Sequence, residues 1–596
     1  MTSDGDLTPA PQPDPEQLPG FVPVAPAVAP RPWFLQYRRL LIPAAAVLAL
    51  GAVSAAAVLL LVKPNATVEK MVPATQDLLV VANVDPSVTQ KVNLLRAVHS
   101  FPDYKTDQAI NDKLDELFND SGFSFTGDIK PWLGSEIGVS ARLNLGSAKD
   151  SPVAVYLVSR DDTKAKATLA KLRTSKYGTK FQWKDETYNG IAISIGTPTG
   201  KSETAAAYSY VDHVVVFATT SAQIHEIIDT DQGRAPRLVD SSDYKATLAG
   251  LPSDRLGYLY LNGKSVVASA KKELAKTPTL NLSLKNLNDV DALQGIGATL
   301  SANSDGVLAD VLVKLDQAKL SPATREALTQ GGNADVVVRW IPKATDAFLG
   351  LTSLNKTIQT LLDQAGNDRS IKSGTDALGL TGPGGVLTHM TGDAGLEAEF
   401  RHGLPAGAIL LGTDDTGSMS AFFAKLLALA EGAAGSTLGG AGSTFGSSRN
   451  GPAVPASPLT TTNYRGVLIT TWTSPDLNQL GGALAPSYAV LDGMGILAST
   501  ADEVKAIIDT HKDGATIASD QTYKTASAAS IVNPSAIVYV DIAKLLDAIR
   551  KSPLGSQSGL GVDTKAYANV EPLGAMMLTS ASQADRVAER FFVIIR

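Results

Sequence analysis

The sequence predicts an α+β protein with two tandem, duplicated units on mostly antiparallel sheets, preceded by a disordered tail and one transmembrane helix. Three observations lead to this prediction. A long apolar segment lies near the N-terminus, a sequence pattern recurs after 280 positions, and hairpin turns alternate with single amphipathic helices. Together they indicate a membrane anchor followed by a large folded region.

The N-terminal tail, residues 1–39, is rich in proline, alanine and aspartate and has few large apolar side chains. Such a composition cannot bury enough apolar surface to fold, so we expect the tail to be disordered. The next segment, 40–62, runs from Leu40 to Val62 without a charged residue. As a helix it would be roughly 34 Å long, enough to cross the hydrocarbon core of a bilayer.

The orientation of this helix follows from the flanking charges. Arg38 and Arg39 precede the segment, whereas only Lys63 and Lys70 follow it closely. The positive-inside rule therefore predicts a cytoplasmic tail and an extracytoplasmic C-terminal region in a bacterial cytoplasmic membrane. A cleaved signal peptide is the alternative, although the apolar run is longer than a usual signal core.

Composition excludes several classes of function. The chain contains no cysteine, which removes disulfides, thiolate metal sites and thiol nucleophiles. Its net charge of -7 is small for 596 residues, and no basic block interleaved with aromatic residues occurs. Nucleic acid is therefore not expected as a partner.

An internal repeat divides the region after the anchor. The segment 217–230 resembles 497–510, and 297–313 resembles 577–593, both at an offset of 280 positions. We also align 78–81 with 336–339, and Asp161-Asp162-Thr163 with Asp414-Asp415-Thr416. The sequence thus predicts two copies of one unit, at 71–317 and 331–596, with a flexible insertion rich in Gly, Ser and Ala at 432–458.

Apolar periodicity and turn signals predict the elements of each unit. In the first unit we expect strands at 77–84, 136–143, 153–159 and 214–219, helices at 89–100, 107–119, 164–174 and 221–229, and a closing hairpin at 296–315. Asp161 and Asp162 precede a helix, which favours capping over metal or acid-base chemistry. Tyr188-Asn189-Gly190 is typical of a hairpin turn, and Trp340 is expected to end a strand.

The best enzyme-like pattern is Ser242-x-x-Lys245, Ser301-Ala-Asn303 and Lys372-Ser-Gly374, which occurs in the order of the serine β-lactamase signature. Ser269-x-x-Lys272 and Ser353-x-x-Lys356 match the first element equally well. The pattern therefore indicates background, and we predict no catalytic residues.

Histidines and tryptophans give no cofactor or metal site either. No zinc-ligand spacing occurs among the six histidines, which are His99, His213, His225, His389, His402 and His511. Trp132, in Pro131-Trp132-Leu133-Gly134, is expected to anchor a core rather than to form a ligand platform. We predict no bound metal and no cofactor.

Four motifs of the first unit belong together, namely Leu78-Leu-Val-Val-Ala-Asn-Val-Asp-Pro86, Gln90-Lys91, Phe101-Pro102-Asp103 and Asp128-Ile-Lys-Pro-Trp-Leu-Gly134. They resemble a bacterial family of membrane-anchored proteins defined by a DUF3352-type domain. The resemblance covers most of 71–596 and is weaker in the second copy, which lacks the Asp-Pro and Pro-Trp-Leu-Gly elements. It implies an N-terminal anchor with a long exported region and no particular activity.

These observations favour a non-enzymatic protein of the cell envelope whose duplicated region binds an envelope protein, a glycan or a lipid, while the 40–62 helix lies in the bilayer. The alternatives are an envelope-acting hydrolase with an unfamiliar site and a purely structural spacer. A pocket lined by convergent polar residues would favour the hydrolase.

Overall fold

A computed structural model describes residues 68–118, 121–146, 151–200, 206–276, 289–329, 331–365, 369–382, 384–401, 404–438, 459–473, 484–551 and 565–596. Within these ranges no helix is both long and apolar enough to cross a membrane. The predicted tail and the predicted 40–62 helix lie outside the described residues.

The first unit contains ten strands and seven helices among its described residues. The strands are β1 (Leu78–Asn83), β2 (Leu133–Ala141), β3 (Val153–Ser159), β4 (Phe181–Tyr188), β5 (Ile191–Pro198), β6 (Ala206–Val211), β7 (Val214–Ala218), β8 (Gly257–Asn262), β9 (Leu293–Asn303) and β10 (Gly306–Leu315). The helices are α1 (Val68–Met71), α2 (Val88–His99), α3 (Asp107–Phe118), α4 (Asp162–Thr174), α5 (Ser221–Asp231), α6 (Ser242–Leu248) and α7 (Gly263–Leu274).

The second unit follows α8 (Pro322–Thr329). Its strands are β11 (Ala347–Leu351), β12 (Met390–Arg401), β13 (Leu404–Thr413), β14 (Leu459–Tyr464), β15 (Val467–Trp472), β16 (Ser487–Leu491), β17 (Met494–Ala498), β18 (Ala536–Val540), β19 (Leu573–Gln583) and β20 (Arg586–Ile595). Its helices are α9 (Asp335–Val338), α10 (Leu354–Ala365), α11 (Arg369–Ala377), α12 (Thr416–Leu438), α13 (Ala501–Asp513), α14 (Gln521–Ala528), α15 (Ile542–Lys551) and α16 (Lys565–Ala568).

All described strands belong to one 20-stranded antiparallel sheet. Hydrogen-bonded neighbours in the first unit follow the order β4-β5-β6-β7-β3-β2-β1-β8-β9-β10. The second unit repeats this order as β14-β15-β16-β17-β13-β12-β11-β18-β19-β20. Because β10 pairs with β20, the sheet continues from one unit into the other.

Each unit buries apolar side chains on both faces of its part of the sheet. Successive residues of a strand point to opposite faces. Tyr156 of β3 therefore packs with Val216 of β7 under α1, α5 and α6, whereas Leu157 points towards the side covered by α3 and α4. The second unit has corresponding cores around Ile496 and around Phe423.

Local signals in the sequence explain several element boundaries. Asn189 and Gly190 both have positive φ, as the predicted turn between β4 and β5 requires. Asp161 caps α4, since its side chain accepts a hydrogen bond from the Lys164 N–H. Asp415 accepts hydrogen bonds from the N–H groups of Gly417 and Ser418 at the start of α12. These caps confirm the structural interpretation of the paired aspartates, although Asp161 corresponds to Asp415 and not to Asp414.

Three further sequence-based expectations are wrong. Residues 336–338 lie in helix α9 and Arg339 follows its end, so this segment is not a strand. Trp340 therefore follows a helix. The counterpart of β1 is β11, which has the corresponding neighbours in the sheet. Three consecutive valines favour a strand locally, but tertiary packing determines the conformation of so short a segment. Residues 432–438 of the predicted flexible insertion continue α12, in keeping with its alanines, and 439–458 lie outside the described residues.

Candidate functional site

An apolar cavity in the first unit is the strongest candidate for a functional site. Its floor is the sheet face that carries Ile137, Val155, Leu157 and Phe217. The strand register brings these side chains together, because Ile137 pairs with Leu157 and Val155 pairs with Phe217. Val155, Leu157 and Phe217 are only half-buried, although they lie at the centre of a sheet.

The wall opposite the floor is built by α3, by α4 and by a single π-helical turn, Phe125–Ile129. Phe118 of α3 stacks on Phe125 with ring centroids 6.4 Å apart. Asp115 of α3 fixes the turn by accepting hydrogen bonds from the Thr126 N–H (2.8 Å) and from the Ser124 hydroxyl (2.9 Å). Burial raises the pKa of Asp115, but a hydrogen bond from the Thr126 hydroxyl (2.6 Å), together with the two just described, outweighs it and holds the pKa below its ordinary value.

Trp132 joins this wall to α4. Its indole N–H donates to the Asp128 carbonyl at 2.6 Å and to the Thr168 hydroxyl at 3.0 Å, and the side chain is 2% exposed. The Thr168 hydroxyl donates to the same carbonyl at 2.8 Å. Trp132 therefore anchors a core, and it also lines the cavity.

We expect Trp132→Phe to destabilise the protein more than Trp472→Phe. Both changes remove the same volume from a buried site, but the buried Trp472 indole N–H has no hydrogen-bond partner among the described residues. The difference in free energy of unfolding should be about 1–2 kcal/mol, the cost of the two hydrogen bonds of Trp132. Equal losses in chemical denaturation would show that these hydrogen bonds do not stabilise the wall.

The cavity has a volume of about 320 Å³. An engineered cavity of about 150 Å³ already binds benzene, so this one can accept a considerably larger apolar group. The residues that line it are Phe118, Ser121, Phe123, Phe125, Ile129, Trp132, Leu133, Ile137, Val155, Leu157, Thr168, Leu169, Leu172, Tyr177 and Phe217. None of these side chains is charged at neutral pH, and the only polar groups are three hydroxyls and one indole N–H.

The second unit has larger side chains at two positions that correspond to the lining of the cavity. Ile409 pairs with Leu497 as Val155 pairs with Phe217, which aligns the two units residue by residue. In this alignment Thr168 and Leu169 of α4 correspond to Phe422 and Phe423 of α12. Phe423 is fully buried and packs with Met419 and Tyr488. At these two positions the described part of the second unit therefore has bulkier side chains than those that line the first-unit cavity.

A second notable cluster is a group of buried carboxyls in the second unit. Glu397 is 1% exposed, accepts a hydrogen bond from the Thr345 hydroxyl at 3.2 Å and lies beside the fully buried Glu503. Burial, followed by the charges of Glu503 and Glu399, raises the pKa of Glu397 well above its ordinary value.

The first unit has neutral groups at the positions that correspond to Glu397 and Glu503. Ser140 corresponds to Glu397, because Ser140 pairs with Ala154 in the way that Glu397 pairs with Ala408. Gln223 corresponds to Glu503, which follows it by 280 positions. The described residues contain no group of three or more His, Cys, Asp or Glu residues arranged to hold a metal ion.

The remaining residues considered from sequence do not form a common site. Ser242 and Lys245 lie exposed on α6, Ser301 lies in β9, and Lys372 lies in α11 of the other unit. Every histidine within the described residues pairs with a carboxylate: His99 with Asp107, His213 with Asp162, His225 with Glu186, His389 with Asp414 and His511 with Asp492. His402 lies outside the described residues.

Comparison with known proteins adds limited information about function. Two solved structures, crystal forms III and I of TP0453, align with 10% and 11% identity and with TM-scores of 0.23 and 0.24. Each alignment covers 45% of this chain and 86% of the other. Similarity at that level supports no argument about this chain, and no curated protein matches it.

The family resemblance noted in the sequence is confirmed. Residues 41–432, more than half of the chain, match the family described as "Protein of unknown function (DUF3352)". The chain belongs to this family.

Proposed function

We propose that this protein is a non-catalytic binding protein of the bacterial cell envelope, and that its first unit binds a lipid or a similarly apolar molecule. In this proposal the 40–62 helix crosses the cytoplasmic membrane once, with the tail in the cytoplasm and both units outside. The observation that carries the proposal is the cavity of about 320 Å³ with its uncharged, mostly hydrocarbon lining.

The lining favours a lipid over the glycan that the sequence analysis also considered. A glycan needs many hydrogen-bond partners, whereas the cavity offers three hydroxyls among phenyl, indole and branched alkyl groups. Each methylene group that leaves water contributes about 0.8 kcal/mol, so a hydrocarbon chain gains affinity from contact area alone. A polar headgroup would stay outside the cavity, since burying it without partners costs free energy.

A cavity-filling variant tests the proposal. In the full chain reconstituted into lipid nanodiscs, a photoactivatable fatty acid should label peptides that contain the cavity wall. Leu172→Trp should lower this labelling at least tenfold, because Leu172 lines the cavity. Ala170→Trp, two residues away on the exposed side of α4, is the matched control and should label like the wild type.

Labelling that is insensitive to Leu172→Trp, or that is confined to peptides outside the first unit, would contradict the proposal. Circular dichroism of both variants distinguishes a filled cavity from a misfolded unit. An unchanged spectrum together with lost labelling is the expected combination.

Topology is tested separately with a reporter enzyme that is active only in the cytoplasm. Fused after Arg596, it should be silent, since the proposal places the C-terminus outside. The same reporter fused before Met1 should be active. Activity of the C-terminal fusion would overturn the orientation without affecting the lipid-binding proposal.

A further inference from the structure

The seam between the two units, formed by β10 and β20, has an unusual register. Asp310 lies directly opposite Arg590, and the two residues are 280 positions apart. This separation equals the repeat offset, so each residue faces its own counterpart in the other copy. The centre of the seam therefore coincides with a local two-fold axis that relates the units.

Backbone hydrogen bonds at the two ends of the seam obey the same symmetry. The Leu315 N–H donates to the Asp585 carbonyl at 2.8 Å, and the Ile595 N–H donates to the Asp305 carbonyl at 2.9 Å. The two donors, Leu315 and Ile595, are repeat counterparts, and so are the two acceptors, Asp305 and Asp585. The seam thus has the geometry of an isologous dimer interface, with both subunits in one chain.

The side chains at the axis break this symmetry through their charge. Arg590 Nε lies 2.6 Å from Asp310 Oδ1, and the Asp310 side chain is only 10% exposed. Pairing of two first units would bring two Asp310 carboxylates together at the axis, and pairing of two second units would bring together two Arg590 guanidinium groups. Like charges directly opposite each other in a sheet are destabilising, and more so when they are buried.

We propose that the seam is a recognition surface whose partner is the unlike unit, and that Asp310 and Arg590 select this partner over a like unit of a second chain. Backbone hydrogen bonds along β10 and β20 could stabilise pairing between like units as well as between unlike units. The Asp310–Arg590 pair favours the unlike units. The two units consequently close on each other within one chain.

Full-length chains with exchanged charges test this selection. Asp310→Arg places two arginines at the axis, and Arg590→Asp places two aspartates there, so each variant alone should lose the closed seam and be less stable than the wild type. In an equimolar mixture, the first unit of each variant has a second unit of opposite charge at the axis only in the other variant's chain. The mixture, denatured and refolded together in detergent, should therefore contain a 1:1 dimer, detected by light scattering as twice the wild-type protein mass.

The double variant Asp310→Arg/Arg590→Asp is the control, since it restores complementary charges within one chain. It should be monomeric and regain most of the wild-type thermal midpoint. Single variants that fold only when refolded together would also support the proposal. Single variants as stable as the wild type, a monomeric mixture, or a double variant no more stable than the singles would overturn it.

Discussion

Replacement of Glu397 by glutamine should stabilise the protein above neutral pH, by about 1–3 kcal/mol at pH 8. Glu397 is buried beside Glu503, and burial together with the neighbouring charges raises its pKa well above the ordinary value. In the unfolded chain the same carboxyl ionises near pH 4.3. The folded protein therefore holds a proton that the unfolded chain has already released.

The sign of the pH dependence follows from this difference in bound protons. Wherever the folded state binds more protons than the unfolded state, the free energy of unfolding falls as the pH rises. We expect stability to decline from about pH 5 upwards until Glu397 ionises in the folded state. Glutamine cannot ionise, and its amide can donate a hydrogen bond to a carboxyl oxygen of Glu503.

Urea denaturation between pH 5 and pH 9 measures this effect. The wild type should lose stability across the interval, and Glu397→Gln should lose distinctly less. Glu571→Gln changes an exposed carboxyl and is the control, with a profile that follows the wild type. Parallel profiles for the wild type and Glu397→Gln would show that Glu397 ionises normally in the folded protein.

Thr168→Phe should abolish labelling of the first unit by the photoactivatable fatty acid while leaving the protein folded. The change introduces at position 168 the residue that the second unit has at the corresponding position, Phe422. The phenyl ring would occupy the cavity beside Leu169 and Leu172, which both line it. Trp132 retains its hydrogen bond to the Asp128 carbonyl, so the wall keeps one of its links.

The reciprocal change, Phe422→Thr, is the matched control for this experiment. It removes the counterpart ring from the second unit and leaves the first-unit cavity unaltered. Labelling of first-unit peptides should remain at the wild-type level. Loss of labelling in both variants would indicate a general effect on folding, and loss in neither would place the bound chain outside this cavity.

Much of the fold could be predicted because its signals are local. The Tyr188-Asn189-Gly190 turn, the Asp161 cap and the 296–315 hairpin each depend on residues close together in sequence, and the structure has all three. The helix at 335–338 was missed because Val336-Val337-Val338 resembles a strand and its conformation depends on tertiary packing. The pairing of β10 with β20 is a contact between distant segments, and periodicity carries no information about it.

The cavity was missed for a related reason. Its lining comes from three strands, two helices and a π-helical turn, and each lining residue resembles an ordinary core residue in the sequence. A difference between the repeats shows in the register that the structure sets: Thr168 and Leu169 stand where the second copy has Phe422 and Phe423. The sequence alignment of Asp161 with Asp414 is shifted by one residue and hides this difference. A smaller residue in one copy of a duplicated core is a reason to look for unfilled space.

The most direct test of the lipid-binding proposal is the number of apolar molecules that each chain carries. Native mass spectrometry of the full chain, released from nanodiscs of defined lipid composition, should show one tightly retained lipid or fatty acid per chain, and Leu172→Trp should show none. The proposal expects one ligand per chain because it assigns binding to the first-unit cavity alone. A wild-type chain that retains no apolar molecule, or that retains it equally well with Leu172→Trp, would contradict the account.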